Sequence, residues 1–205
     1  MLKLTWLGHA CFALEAEGYR ILLDPYSPDY VPGLGRVELS AHKVLCSHDH
    51  ADHGWKEGIP APLNELPCPF TIRTMPVFHD DQMGSLRGLN TIHVLEYNGI
   101  RVAHLGDLGH DLDDDQIEEL GKLDAVLLPI GGTYTLNCQQ ASDLADRLQV
   151  KAVIPMHYRR GDMGFEVLQT LQEFLILRPG YQEIPGNSLE ITGDMPETTI
   201  VLNVK

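Results

Sequence analysis

No apolar run in the chain approaches the roughly 20 residues that cross a bilayer as a helix, which argues against a helical membrane span. The N-terminal stretch Met1-Leu2-Lys3-Leu4-Thr5-Trp6-Leu7 has no basic segment feeding a long apolar one and no small-residue cleavage site. It reads as a first strand rather than a signal peptide. Cysteine is scarce: Cys11, Cys46, Cys68 and Cys138 form no C-x-x-C pair, so free thiols in a reducing cytoplasm are expected rather than disulfides. Cations are few as well. Fifteen Lys and Arg stand against 29 Asp and Glu, a formal net charge of −14, which repels phosphate backbones and anionic membranes and argues against nucleic-acid or membrane partners. Linkers, low-complexity segments and repeats with a period of about 20–50 residues are missing, so residues 1–205 are expected to form one domain.

The 43% hydrophobic residues, 19 Gly and 13 Pro among 205 suit a soluble globular fold rich in turns. Short apolar runs at Leu2–Leu7, Cys11–Ala16, Tyr19–Leu23, Lys43–Cys46 and Phe70–Phe78 read as strands. Leu89–Tyr97 and Ile100–Leu105 flank Asn98-Gly99, a strong hairpin signal. The pattern then alternates: helix at Asp113–Lys122, strand at Ala125–Leu128, helix at Cys138–Leu148, strand at Ala152–Ile154, helix at Phe165–Leu177, and strands near Leu189–Ile191 and Thr199–Val204. Such an order suggests two sheets packed together with helices outside.

Histidine is over-supplied: 10 residues, unevenly placed. Directly after the strand Lys43–Cys46 comes His48-Asp49-His50-Ala51-Asp52-His53, with metal-binding imidazoles and carboxylates at close spacing. That cluster is too rich for one tetrahedral ion and too poor for two, which want about seven ligands including a bridge. Further ligands are therefore expected where other strands end. His79 follows Phe78, Asp107 follows Gly106, and His157 follows Pro155-Met156.

The series His48, His50, Asp52, His53, His79, Asp107, His157 resembles the metallo-β-lactamase-fold superfamily of metal-dependent hydrolases. More narrowly the chain is similar to a bacterial branch related to ascorbate-6-phosphate lactonase, through Trp6-Leu-Gly-His-Ala, Leu23-Asp-Pro, Arg87-Gly-Leu-Asn-Thr, His104-Leu-Gly-Asp-Leu-Gly-His and Pro129-Ile-Gly-Gly-Thr-Tyr-Thr. The resemblance reaches to about Tyr158. It implies an α/β fold, a four-layer αββα sandwich, with His48, His50 and His79 on one metal, Asp52, His53 and His157 on a second, and Asp107 bridging them. It further implies that Asp24 orients the histidine-rich loop from behind, and that Asp52 orients the attacking water or shuttles its proton. Flavodiiron relatives place Glu where this chain has His50 and carry an additional flavin domain, so the expected chemistry is hydrolysis by a metal-bridging water rather than redox. Zinc leads as the divalent ion, with Mn, Ni and Fe suited to the same donors.

His9 stands open between a pocket residue that binds substrate or donates a proton and a hydrogen-bonded core histidine. His42, His93, His104 and His110 read as structural. Asp111-Leu-Asp-Asp-Asp115 reads as the acidic start of a helix. Gly131-Gly132-Thr133-Tyr134, between a strand and a helix, offers backbone N–H groups to an anion. With Arg87 and Arg159-Arg160 near ligand loops, it points to a small anionic substrate, bound through Arg87, Thr133 and Tyr134. A lactone, ester or amide bond is the expected target. The alternatives are a phosphodiesterase or nuclease on the same site and a non-catalytic metal-binding protein; assembly into a homo-oligomer stays open.

Overall fold

The computed structural model describes residues 1–62 and 64–204. The strands are β1 (Leu2–Gly8), β2 (Cys11–Ala16), β3 (Tyr19–Leu23), β4 (Lys43–Leu45), β5 (Thr71–Phe78), β6 (Leu89–Tyr97), β7 (Ile100–His104), β8 (Ala125–Pro129), β9 (Ala152–Met156), β10 (Gln182–Glu183), β11 (Ser188–Ile191) and β12 (Thr198–Val201). The helices are α1 (Asp114–Leu120), α2 (Cys138–Leu148) and α3 (Leu171–Leu177). One sheet has the order β11-β1-β2-β3-β4 and the other β10-β12-β9-β8-β7-β6-β5.

Nearly all of β2 and β3 is buried, and successive side chains enter two different apolar clusters, which shows how the layers stack. Phe12 and Leu14, with Ile21 and Leu23, enter the large core that also takes Val126, Leu128, Ile154 and the buried faces of α2 and α3. Burying a side chain such as Phe12 stabilises the fold by about 1.5–3 kcal/mol. Cys11, Ala13 and Leu22 face the other way and are covered by Tyr26, Val31, Leu34 and Val37 from the segment between β3 and β4. That segment contains no helix among the described residues, so the outer cover of the five-stranded sheet is coil packed on apolar side chains. No described helix is long and apolar enough to cross a membrane. All four cysteines are free thiols.

The strand directions explain where chemistry can gather. β1, β3 and β4 run the same way, since β2 lies antiparallel to both β1 and β3, and β4 is parallel to β3. In the second sheet β5, β7, β8 and β9 likewise share a direction. The loops that follow these strands all leave from carboxyl ends, and they meet at one edge of the sandwich.

The sequence periodicity expects a helix over Phe165–Leu177, but α3 starts only at Leu171. Thr170 is its N-cap: its side chain accepts from the Glu173 N–H, and the Glu173 carboxylate accepts from the Thr170 N–H at 2.6 Å. This capping box sets the helix start against the periodicity, and residues 165–169 form an irregular approach. Removing the cap with Thr170→Ala is expected to cost about 1 kcal/mol, a Tm drop of about 2–4 °C by thermal denaturation. An unchanged Tm would show that packing alone fixes α3.

Candidate metal centre

Every residue of the expected ligand set lies at this edge. His48, His50 and His79 bring ligand atoms within 4.8 Å of one another; so do His9, Asp52, His53 and His157; and so do His48, His53 and Asp107. Asp107 stands between the first two groups. Its Oδ2 is 3.2 Å from His157 Nε2, 3.4 Å from His79 Nε2 and 4.0 Å from His48 Nε2, and its Oδ1 is 3.2 Å from His53 Nε2.

The orientation of the imidazoles follows from what their far nitrogens touch. The Asp24 carboxylate only accepts, so His53 Nδ1–H donates to it at 2.8 Å. Asp24 also accepts from the Ser47 N–H and hydroxyl, both at 2.6 Å. The Ser47 hydroxyl proton is thereby used, and His48 Nδ1–H donates to Ser47 Oγ at 2.9 Å. His79 Nδ1–H donates to the Tyr134 carbonyl at 3.1 Å. Each of these bonds leaves Nε2 of its ring turned inward. Nε2 of His48, His53 and His157 and Oδ1 of Asp107 are buried without a hydrogen-bond partner, as is Nδ1 of His157. Buried, unpaired lone pairs are costly, and a divalent cation satisfies such a set while His48, His53 and His79 keep their Nδ1–H bonds to oxygen. The residues present fit a metal.

The charges divide: burial alone would lower His53, yet Asp107 and Asp24 outweigh it and raise its pKa well above the usual value, so a cation at this centre takes the place of the proton between His53 and Asp107. Burial pushes the His48 imidazole down to about 3, and it lowers His79 as well, so both rings are neutral donors. Burial alone would raise Asp107, yet His157 and His53 outweigh it and hold the carboxyl well below its usual range. The same balance keeps Asp24 ionised beside His104 and His53.

His9 is buried in the second group. Its Nε2 lies 3.3 Å from Asp52 Oδ2 and its ring 4.0 Å from that of His157. Burial and the neighbouring His157 lower its pKa to about 4, so a neutral ring donates Nε2–H to Asp52. His9, Asp24 and His157 all occupy the left-handed region, at φ 53°, 45° and 53°, which costs a non-glycine residue of order 1 kcal/mol or more each. Trp6 Nε1–H and the His157 N–H both donate to the His9 carbonyl and hold this turn in place. Gly106 keeps the Asp107 loop close: a Cβ there would meet Asn90 Oδ1 at 2.3 Å and Ser47 Cβ at 2.4 Å.

Residues 3–157 match the sequence profile of the β-lactamase superfamily domain. The chain belongs to that superfamily. A UPF0173 metal-dependent hydrolase of Korarchaeum cryptofilum is 31% identical, over 93% of this chain and all of its own. A UPF0173 protein of Pyrococcus furiosus is 30% identical over 77% of this chain and 83% of its own. Among solved structures, one from Thermotoga maritima, described as a candidate Zn-dependent hydrolase of the metallo-β-lactamase superfamily, superposes with a TM-score of 0.79 at 36% identity, covering both chains fully. The protein is thus a metal-dependent hydrolase of the metallo-β-lactamase superfamily.

In this hydrolase the expected substrate contacts divide. Arg87 and Tyr134 line a cavity of about 400 Å³ with His50, Asp52, His79 and Asp107. Thr133 does not line it; its hydroxyl donates to the Val167 carbonyl. The turn around it offers little to an anion, because the N–H groups of Gly132, Tyr134 and Thr135 are all taken by backbone carbonyls. Arg159 and Arg160 line a different hollow, and Arg160 pairs with Glu183. His42, His93, His104 and His110 each spend a ring nitrogen on a backbone group.

Several contributors escaped the sequence reading. Ser47 relays Asp24 to His48, and Asn90 accepts from the Asp107 N–H at 3.0 Å. Asp80 accepts four backbone N–H groups, from Gln82, Gly84, Leu86 and Arg87, at 2.8–3.0 Å. Asp80 and Asn90 adjoin recognisable motifs, and that proximity was the available signal. Tyr30 and Phe165 complete the cavity wall, and nothing in their spacing announces it.

Asp24→Asn, which removes an acceptor from the hub, is expected to weaken metal binding about 10–100-fold in competition with a chromophoric chelator; wild-type affinity would deny Asp24 that role. Asp80 gives a pH prediction. Against the cost of burial, its four N–H donors hold the carboxyl below the usual range. The stabilisation is therefore present above the unfolded value of about 3.9 and lost as pH falls through the depressed pKa. Asp80→Asn should lower the Tm of the metal-free protein at neutral pH, with the gap to wild type narrowing as pH falls below about 3.9. A gap independent of pH would contradict it.

Proposed function

We propose that the hydrolase works with two divalent ions, one held by His48, His50 and His79, the other by Asp52, His53 and His157, with the Asp107 carboxylate shared. The observation that carries this reading is the place of Asp107, within 3.4 Å of Nε2 atoms from both groups. Zinc suits the imidazole and carboxylate donors best, and Mn, Ni and Fe suit them too. When bound, such ions lower the pKa of a water and polarise the oxygen of a scissile carbonyl or phosphoryl group.

The chain's own residues supply orientation and proton handling. The Asp52 carboxylate opens onto the cavity and accepts the proton of the attacking water at an oxygen. His9 Nε2–H, 3.3 Å away, holds that carboxylate in register. Arg87 at the cavity wall receives an anionic part of the substrate. A cavity of about 400 Å³ falls in the small-molecule range, which supports a small substrate, with a lactone, ester or amide as the proposed bond; the net charge of −14 speaks against a nucleic-acid partner.

Protein purified without chelator should carry about two ions per chain; a reproducible single ion overturns the dinuclear reading. On a panel of esters, lactones, amides and phosphodiesters with Zn, Mn or Ni, turnover should disappear with His50→Ala and fall more than about 100-fold with Asp107→Asn, beyond the usual loss for a residue that only supports ligands. Metal-independent turnover, or tight RNA binding at low salt, would overturn the small-molecule reading.

A further inference from the structure

The walls of the catalytic cavity differ over the two halves of the centre. Beside His48, His50 and His79 stands Arg87, its Cζ 5.5 Å from the centre of the Tyr134 ring. Arg147, Arg160 and Arg178 are each engaged by a carboxylate, but among the described residues Arg87 makes no ion pair, in a chain of net charge −14. It is also the one cationic side chain among the described residues lining the cavity. Its place is tied to His79 from two sides. The Tyr134 carbonyl accepts from His79 Nδ1–H, and Asp80, next in sequence to His79, holds the Arg87 N–H at 2.8 Å. The Arg87 backbone is thus fixed relative to the first ligand group, and its guanidinium lies against the Tyr134 ring with its N–H edges unspent.

The other half is apolar. Tyr30 and Phe165 meet edge to face with ring centres 6.0 Å apart, and Phe165 packs 5.6 Å from the His9 ring, beside Asp52 and His157. Both rings line the cavity, and Tyr30 is half exposed. Two aromatic rings left open at the mouth of a polar site are suited to stacking on a flat or alkyl group.

We infer that the substrate is two-sided: an anionic group seated on Arg87 against Tyr134 over the His48/His50/His79 half, an aromatic or alkyl group against Tyr30 and Phe165 over the Asp52/His53/His157 half, and the scissile bond between them. This rests on the hydrolytic reading above for the scissile bond, but the two walls can be tested without turnover.

Calorimetric titration of the metal-loaded protein with 4-phenylbutyrate, 4-phenylbutanol and butyrate separates the contributions. 4-Phenylbutyrate should bind at least about 10-fold more tightly than either single-featured probe. Arg87→Gln should erase its advantage over 4-phenylbutanol, and Phe165→Ala its advantage over butyrate, with metal content unchanged in both. Because a carboxylate can also reach the metals directly, the Arg87→Gln arm decides whether the guanidinium contributes. Equal affinity for the three probes in the wild type, or advantages that survive both substitutions, overturns the inference. If no bond in the panel is hydrolysed while the probe ratios hold, the hydrolytic reading fails and the two-sided site stands.

Discussion

The centre rests on one repeated hydrogen bond: an imidazole Nδ1–H given to an oxygen that the fold has already fixed. His53 gives it to Asp24, His48 to Ser47, and His79 to the Tyr134 carbonyl. Each bond occupies Nδ1 and turns Nε2 inward, the nitrogen a metal would take. Asp24 is the hub, because it binds both the backbone and the hydroxyl of Ser47 as well as His53. Without these donations the rings could rotate toward one another or toward Asp107, and the cluster would close as an ordinary buried ion-pair network.

Holding that geometry has a structural cost, and its location is informative. His9, Asp24 and His157 take left-handed backbone conformations that favour glycine. They stand at the carboxyl ends of β1, β3 and β9, where the chain must turn sharply to aim a side chain across the sandwich edge. Packing around Trp6, Phe12 and Tyr158, all buried in the same core, over-determines those turns. The acidic excess has a local meaning too: Asp24, Asp52 and Asp107 are kept ionised by the histidines around them, where cationic ligands offset their charge.

The two groups of candidate ligands, His48/His50/His79 and Asp52/His53/His157, differ in donors by one carboxylate and differ more in their walls. Arg87 with Tyr134 flanks one, Tyr30 with Phe165 the other. A symmetric pair of sites would accept a bond in either direction; a charged wall opposite an aromatic one gives the cavity a polarity. The Asp80 loop matters here because its backbone bonds set the distance between Arg87 and the histidines, a task a flexible surface loop could not perform.

Much of this was legible from residues alone. The short apolar runs that become β2 and β3, the Asn98-Gly99 hairpin, and the ligand types at strand ends follow from local rules that need no partner. His48, His50, Asp52 and His53 announce themselves because they are adjacent in the chain. Phe165 shows the limit: its spacing matches a helical face, yet Thr170 caps α3 later and frees Phe165 for the cavity. The unpaired state of Arg87, the four donors on Asp80 and the loss of Thr133 to Val167 were likewise decided by contacts between distant segments. Residue type and spacing determined which groups this protein can bring to a metal. Only the packing of two sheets, face against face, decided which lone pairs meet and what walls stand over them, because direction and proximity across the fold are not written in any local stretch of chain.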